Sequence, residues 1–328
     1  MGWSGKIDST SALGTSTTFT PGTTAMGAYT VSTFTAPKKG IYKFSLKGSG
    51  GASQSEGNAN GAPGAGGSTE GYLILEAGQT VHIGAGGTCS AAFVAAATGA
   101  KLSEIPAAML YFVAGAGGQG GAASSQNGGN NKVTSGGAGG GSTGANAGLE
   151  YGTSSAGGGT QRAGGAGSVG ESTGGTGTYG TGGNGVWNNV SWSAWGGRGG
   201  DGYYGGGGGG ASGYSGGSWG FGGGGGSGYV HKAQMIGGGK TLENTTKQGG
   251  GASGNSTGSV VVTYYALAEI PVLCDGLTLE KGYGDGEEFE HLMIDGVTIF
   301  CRKICGALYE MRRRLRIWDT GMGVNAHA

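Results

Sequence analysis

Glycine density constrains this chain more than any other feature. Of its 328 residues, 86 are glycine. Most lie between Ala116 and Gly258, in runs such as Gly136 to Gly141 (interrupted only by Ala138), Gly205 to Gly210 and Gly222 to Gly226, with single Tyr, Trp, Ser and Asn between them. Glycine loses the most backbone freedom on ordering and brings no side chain to bury. Such a tract is therefore either an unordered tether or a lattice in which the missing Cβ is an advantage. In a lattice, extended glycine chains take the polyproline-II conformation, with about three residues per turn and no internal hydrogen bonds. Their N–H and C=O groups point sideways, where neighbouring segments can satisfy them. Side chains are confined to outer faces and turns. The lack of a strict Gly-X-Y period and the presence of only five prolines argue against collagen.

The flanks decide between tether and lattice. From Thr17 to about Gly50 the sequence reads as β-structure: in Ile41 to Leu46, Tyr42, Phe44 and Leu46 alternate with Ile41, Lys43 and Ser45, and Pro37 to Gly40 is the turn before them. Gly71 to Leu75 and Thr80 to Gly84 read as two strands joined by the turn Glu76 to Gln79. His82 among them is a core or edge histidine. Met109 to Ala114 is a further buried strand. Beyond the glycines, Ser259 to Tyr265 is β-branched and aromatic and reads as a strand again. A sheet opened before the glycines and finished after them makes the tract an insertion into a β-domain.

Two passages carry a resemblance. FTAPKKGIYKFSL, Phe34 to Leu46, is similar to the opening of complement-type and tumour necrosis factor-like jelly rolls. The order FTAPKKG, EGYLILEAGQTVHIGAGG, YYGGGGGGASGYSGGSWGFGGGGGSGY, then GSVVVTYY resembles the glycine-rich domain of anaplastic lymphoma kinase and leukocyte tyrosine kinase, over roughly Phe34 to Tyr265. It also resembles the phage tail adhesins that carry polyglycine-II bundles. The resemblance implies a mainly β fold: a jelly-roll-like sandwich (1–115 and 259–265) with an inserted polyglycine-II bundle (116–258); a small α+β C-terminal domain (266–328) is expected from its own residues. The chain has neither a kinase domain nor a transmembrane helix, so receptor function does not carry over.

Residues 266–328 are a different material. Asp275-Gly276 and Asp295-Gly296 each stand between apolar runs, the signature of a two-residue hairpin turn. In the stretch after Phe300, Ile304, Leu308, Met311, Leu315 and Trp318 step by four and three, which predicts an amphipathic helix for attachment or oligomerisation. Arg312, Arg313, Arg314 and Arg316 lie largely off that seam. They are either a solvated face or a dock for Asp285, Glu287, Glu288 and Glu290 of a neighbouring copy.

Composition and motifs exclude several functions. Charge is balanced, with 19 basic and 19 acidic residues, which argues against nucleic acid as main partner; the lone Arg198-Gly199-Gly200 carries no RGG signal. No apolar run is long enough for a membrane span, and the N-terminus lacks an apolar signal region. Asn189, Asn244 and Asn255 are then chance matches to the glycosylation motif. Gly237 to Thr241 ends like a phosphate-binding loop, but Gln234 stands where its first glycine belongs. Cys89, Cys274, Cys301 and Cys305 read as buried thiols, and the four histidines have no metal-type spacing. No catalytic residues, metal or cofactor are expected, and the chain is read as a non-enzyme.

Binding has more behind it. Trp187, Trp192, Trp195, Tyr203, Tyr204, Tyr214, Trp219 and Phe221 concentrate in one part of the tract, among Asn and Ser, a composition used by recognition loops. The competing reading packs these rings against the β-core or a sister subunit. The expected function is that of a bacteriophage virion surface protein, a tail adhesin or fibre tip, made in the host cytoplasm without a signal peptide and assembled as a homotrimer with other tail proteins. It would bind a host surface glycan or protein. A tail or capsid decoration protein without a receptor and a surface ligand-binding module of a cell are the alternatives.

Overall fold

A computed structural model describes residues 2–124, 131–148, 155–188, 193–214, 217–232, 234–236 and 240–266, and the strands 272–274, 277–284, 287–294 and 297–302. For Tyr214, 234–236, 240–241 and the strands beyond 271 only the backbone is described. The protein is mainly β, and its sheets are largely antiparallel. Helical structure among the described residues is limited to single 3-10 turns at Leu102–Glu104 and Ala107–Met109. The chain divides into two units, Met1–Gln234 with Leu242–Tyr265, and Met235–Thr241 with Ala266–Ala328.

Two sheets form the β-part of the first unit. One has the strand order Trp3–Ser4, Ser16–Phe19, Ser259–Ala266, Gly40–Lys47, Ser68–Leu75, Thr245–Lys247; the other runs Tyr229–Val230, Leu110–Ala114, Ala92–Ala95, Thr80–Gly86, Tyr29–Thr35. The expected strands at Ile41–Leu46, Gly71–Leu75, Thr80–Gly84 and Ser259–Tyr265 are all present. Met109 instead closes a 3-10 turn and is exposed, so the strand starts at Leu110. Side-chain alternation turns Tyr42, Phe44, Leu46, Leu73, Leu75, Val260, Val262 and Tyr264 inward, where all are buried. Phe44 bridges the sheets, with ring centroids 6.1 Å from Phe112 and 6.3 Å from Phe34. Gly71 makes room for this contact: a Cβ there would lie 2.1 Å from Phe112 Cε1. Tyr229–Val230 and Thr245–Lys247 join these sheets as edge strands from inside the stretch read as inserted.

Strands of both sheets run on directly into the glycine tract. Gly40–Lys47 continues as 48–52, Leu110–Ala114 as 115–121, and 61–67 and 221–228 lead back into Ser68–Leu75 and Tyr229–Val230. Each glycine segment bonds its neighbours at every third residue. In 115–121, Ala116 and Gln119 donate to Asp201 and Arg198 carbonyls, Gly117 and Gly120 to Ser49 and Ala52, and Gly118 and Gly121 to Gly137 and Thr134. Gly61, Gly64 and Gly67 in turn donate to Gly121, Gly118 and Gly115. Three successive residues thus face three directions, and the fourth repeats the first.

The same geometry explains where glycine is uninterrupted. Gly205–Gly210 exchanges backbone hydrogen bonds with segments 156–160, 163–168, 173–178, 181–186, 196–201 and 221–227. Gly222–Gly226 is likewise enclosed, by 115–121, 134–140, 143–148, 156–160, 196–201 and 204–210. With a neighbour on every side, no direction is left for a Cβ. Segments nearer the outside keep one free direction and carry a side chain at every third position: Ala62 and Ala65, Ser135 and Ala138, Ala163 and Ala166, Thr173 and Thr176, Thr181 and Asn184.

In the second unit four strands form an antiparallel meander, Val272–Cys274, Leu277–Gly284, Glu287–Ile294 and Val297–Arg302. Cys274 pairs with Leu277, Gly284 with Glu287 and Ile294 with Val297. The turns expected at Asp275-Gly276 and Asp295-Gly296 lie outside the described residues. The helix expected over Ile304, Leu308, Met311, Leu315 and Trp318 lies outside the described residues, as do Cys305 and the arginine run.

Lattice packing makes a direct prediction. A Cβ on Gly118 would sit 2.1 Å from the Gly223 carbonyl oxygen, whereas one on Gly22 would meet only Thr30 Oγ1 at 3.6 Å. Thermal unfolding is expected to show Gly118→Ala destabilised by roughly 3 kcal/mol or failing to fold, at the severe end of overpacking, with Gly22→Ala within about 0.5 kcal/mol of the parent. Equal melting of the two variants would refute the close-packed lattice.

Candidate functional site

Glycine segments that leave the sandwich at one end reverse direction at the other, and there the chain becomes short β-ribbons. Trp187–Asn188, Ser193–Trp195, Ala122–Ser124 and Ala59–Asn60 form one small sheet; Lys132–Val133, Gly217–Gly220 and Ala211–Tyr214 form a second. Trp187 pairs with Trp195, and Trp195 with Ala122. Trp219 pairs with Lys132 on one side and Ser212 on the other. This end of the bundle therefore collects Trp187, Trp195 and Trp219. Trp187 is 57% exposed, and Trp195 and Trp219 are half-buried.

Polar groups fix the ribbons. Glu171 Oε2 accepts from Asn188 Nδ2 at 2.8 Å and from the Gly213 N–H at 2.9 Å, while its own N–H donates to Ser212 Oγ at 3.0 Å. Ser218 Oγ donates to the Ser124 carbonyl at 3.0 Å. Glu171 thereby ties the Trp187 ribbon to the ribbon that pairs with Trp219. It carries no sequence motif; only its rarity as a charge in the tract sets it apart.

The remaining aromatic candidates lie elsewhere. Tyr203 and Tyr204 sit at the sandwich end with Tyr179 and Tyr229; Tyr203 stacks on Tyr229 at 4.5 Å, and Tyr179, Tyr203 and Tyr229 pack against the cluster of Leu102, Ile105, Phe93 and Leu110. Phe221 is 4% exposed, at the start of an enclosed glycine segment. Tyr203 fills space against the β-core and Phe221 is enclosed by the lattice, the placement that the competing packing reading describes. Trp192 and the Tyr214 side chain lie outside the described residues. His82 is a half-buried residue of an interior strand, paired with Thr33 and Ala95, its Nδ1 3.4 Å from Thr33 Oγ1. Asn244 and Asn255 are held in internal hydrogen bonds, Asn244 Oδ1 to the Tyr72 N–H and Asn255 Oδ1 to the Ser53 N–H.

Arg198, Asp201, Tyr29 and Cys89 form a buried charged cluster. Arg198 Nη2 donates to Asp201 Oδ1 at 2.6 Å, the Gly182 N–H to the same oxygen at 2.8 Å, and Tyr29 Oη to Asp201 Oδ2 at 2.9 Å. Arg198 Nη1 donates to the Cys89 carbonyl, and the Ala91 N–H donates to Tyr29 Oη. Burial pulls the guanidinium pKa down, but the Asp201 carboxylate outweighs it and holds Arg198 charged. Burial, then the Asp201 charge, drive the Tyr29 hydroxyl well above its ordinary value, so it stays a donor. Burial also pushes the Cys89 thiol up to about 11. A protonated thiol beside a satisfied ion pair is not an activated nucleophile. The cluster instead joins the Gly86 to Ala91 turn of the sandwich to the glycine segment 196–201.

Among the described residues no group of His, Cys, Asp or Glu is gathered closely enough to hold a metal ion, and no helix is long and apolar enough to cross a membrane. No protein-family model matches the chain, and no curated protein is detectably similar to it.

Replacing Arg198 by Met leaves the Asp201 carboxylate buried without its partner. The expected cost is about 3–5 kcal/mol, read as a lowered midpoint in denaturant unfolding. Cys89 in the folded protein is expected to resist iodoacetamide at pH 8 and to be alkylated once denaturant is added, measured on its own peptide by mass spectrometry.

Proposed function

We propose that the chain is a virion surface protein of a bacteriophage, a tail adhesin or fibre tip, in which a jelly-roll-like sandwich carries a polyglycine-II bundle and the far end of that bundle meets the host surface. The observation that carries the reading is the gathering of Trp187, Trp195 and Trp219 on short ribbons at one end of the lattice. Elsewhere the bundle offers mostly Ala, Ser and Thr, which give little to bind. The three-residue hydrogen-bond period supports the polyglycine-II assignment, as does the restriction of positive φ among its described glycines to Gly140, Gly141, Gly180 and Gly249. Binding would use aromatic faces for area at low entropy cost, with ribbon polar groups setting orientation. A lattice bonded in three directions keeps such a surface preorganised, which lowers the ordering cost of association.

A decoration protein without a receptor is favoured by a specific observation of its own: Trp195 and Trp219 are already half-buried. Binding to envelope fractions of candidate host bacteria separates the two. Trp187→Ala is expected to weaken binding at least tenfold, in the range of an aromatic hot spot, while leaving the melting temperature unchanged. Undiminished binding by the triple Ala variant of Trp187, Trp195 and Trp219 would sink the adhesin reading.

A further inference from the structure

The outer face of the first sheet carries a depression of about 350 Å³, away from the tryptophan ribbons. Strand register arranges its lining in two rows. Lys247 pairs with Ser68, and Ser68 with Lys47; in the next row on the same face Thr245 pairs with Glu70, and Glu70 with Ser45. Ser259 and Val261 of the adjoining strand extend the floor. The face is concave because short hydroxyl side chains, Ser45 and Ser68, lie between the long Lys47, Lys247 and Glu70. Gly250 closes one end over Ser68, so near that a Cβ would come within 2.6 Å of Ser68 Oγ.

Charge in the depression is uneven. Glu70 is paired with Lys43 at 2.9 Å and accepts from Ser45 Oγ at 3.3 Å. The Lys43 hydrogen bond holds the Glu70 carboxyl below its usual value, so it remains an ionised acceptor. Neither Lys47 nor Lys247 is in an ion pair among the described residues. Both flank Ser68 from adjacent strands, which sets their Cα atoms about 10 Å apart, a span that two lysine side chains close on one carboxylate. The remaining lining is hydroxyl groups and one carboxylate, which suit a ligand rich in hydroxyls. The volume is that of a small-molecule site and far exceeds a bare anion.

We infer that this depression binds an acidic monosaccharide unit of the uronate class, its carboxylate bridging Lys47 and Lys247 and its ring hydroxyls meeting Glu70, Ser45 and Thr245. The inference is independent of the adhesin reading and of the tryptophan ribbons. Calorimetric titration of the full chain tests it, with methyl glucuronide, methyl glucoside and inorganic phosphate as probes. Saturable binding of the glucuronide is expected, with the glucoside and phosphate each at least tenfold weaker. Lys47→Met combined with Lys247→Met should weaken the glucuronide at least tenfold at unchanged melting temperature. Should that variant not fold, Lys47→Gln and Lys247→Gln singly should each weaken it about fivefold. No saturable glucuronide binding, equal binding of the glucoside, equal binding of phosphate, or lysine variants that bind like the parent would each overturn the inference. Trp187→Ala should leave this titration unchanged.

Discussion

Everything in the first unit depends on the backbone hydrogen bond between glycine segments. An extended segment makes none within itself, so each N–H and C=O must find a partner on another segment or stay unsatisfied in a buried place. The partners are reached only at separations where a Cβ would fall about 2 Å from a carbonyl oxygen, as at Gly118, Gly206 and Gly224. Glycine here is a steric requirement imposed by neighbours. Its entropic cost, which would leave such a tract disordered in isolation, is met by a network in which nearly every peptide group of the interior has a partner.

That requirement also sorts the other residues. Side chains survive at every third position of the outer segments and vanish from Gly205–Gly210 and Gly222–Gly226, which are enclosed. Large rings are pushed to the two ends, where the tyrosines fill the junction with the sandwich and the tryptophans lie on the ribbons opposite. Arg198 and Asp201, the one buried ion pair among the described residues, occupy the side-chain-bearing phase of their segment, three residues apart, and are engaged by backbone and Tyr29.

Much of the β-part was legible from alternation: Tyr42, Phe44, Leu46 and Val260, Val262, Tyr264 point where a period of two sends them. Two signals were masked, one beyond the tract and one within it. Asp285-Gly286 has the same turn chemistry as Asp275-Gly276, but the charged residues after it lack the apolar flanks that mark a hairpin. The absence of a chain-wide Gly-X-Y period hid a local one, since Ala163-Gly164-Gly165-Ala166 and Thr181-Gly182-Gly183-Asn184 each keep a period of three that restarts at every reversal. Arg198-Gly199-Gly200-Asp201 is such a repeat as well, which is why a solitary RGG meant structure. The site was half legible. Aromatic clustering in sequence could not tell Trp187 from Tyr203, because Trp187 pairs back onto Trp195 and the segment 196–201 then carries the chain along the lattice to Tyr203. Glu171 was invisible, since its partners are set by the lattice alone.

The order of strands has a kinetic side. Ser259–Ala266 lies between Ser16–Phe19 and Gly40–Lys47, so the first sheet lacks an interior strand until the entire glycine tract has been synthesised. The lattice bonds are themselves almost all between distant residues, with few local contacts to guide early steps. Folding therefore begins late and carries a high contact order, the regime of slow folders. The same wiring opposes piecemeal opening, since no glycine segment can leave without breaking bonds to several others at once.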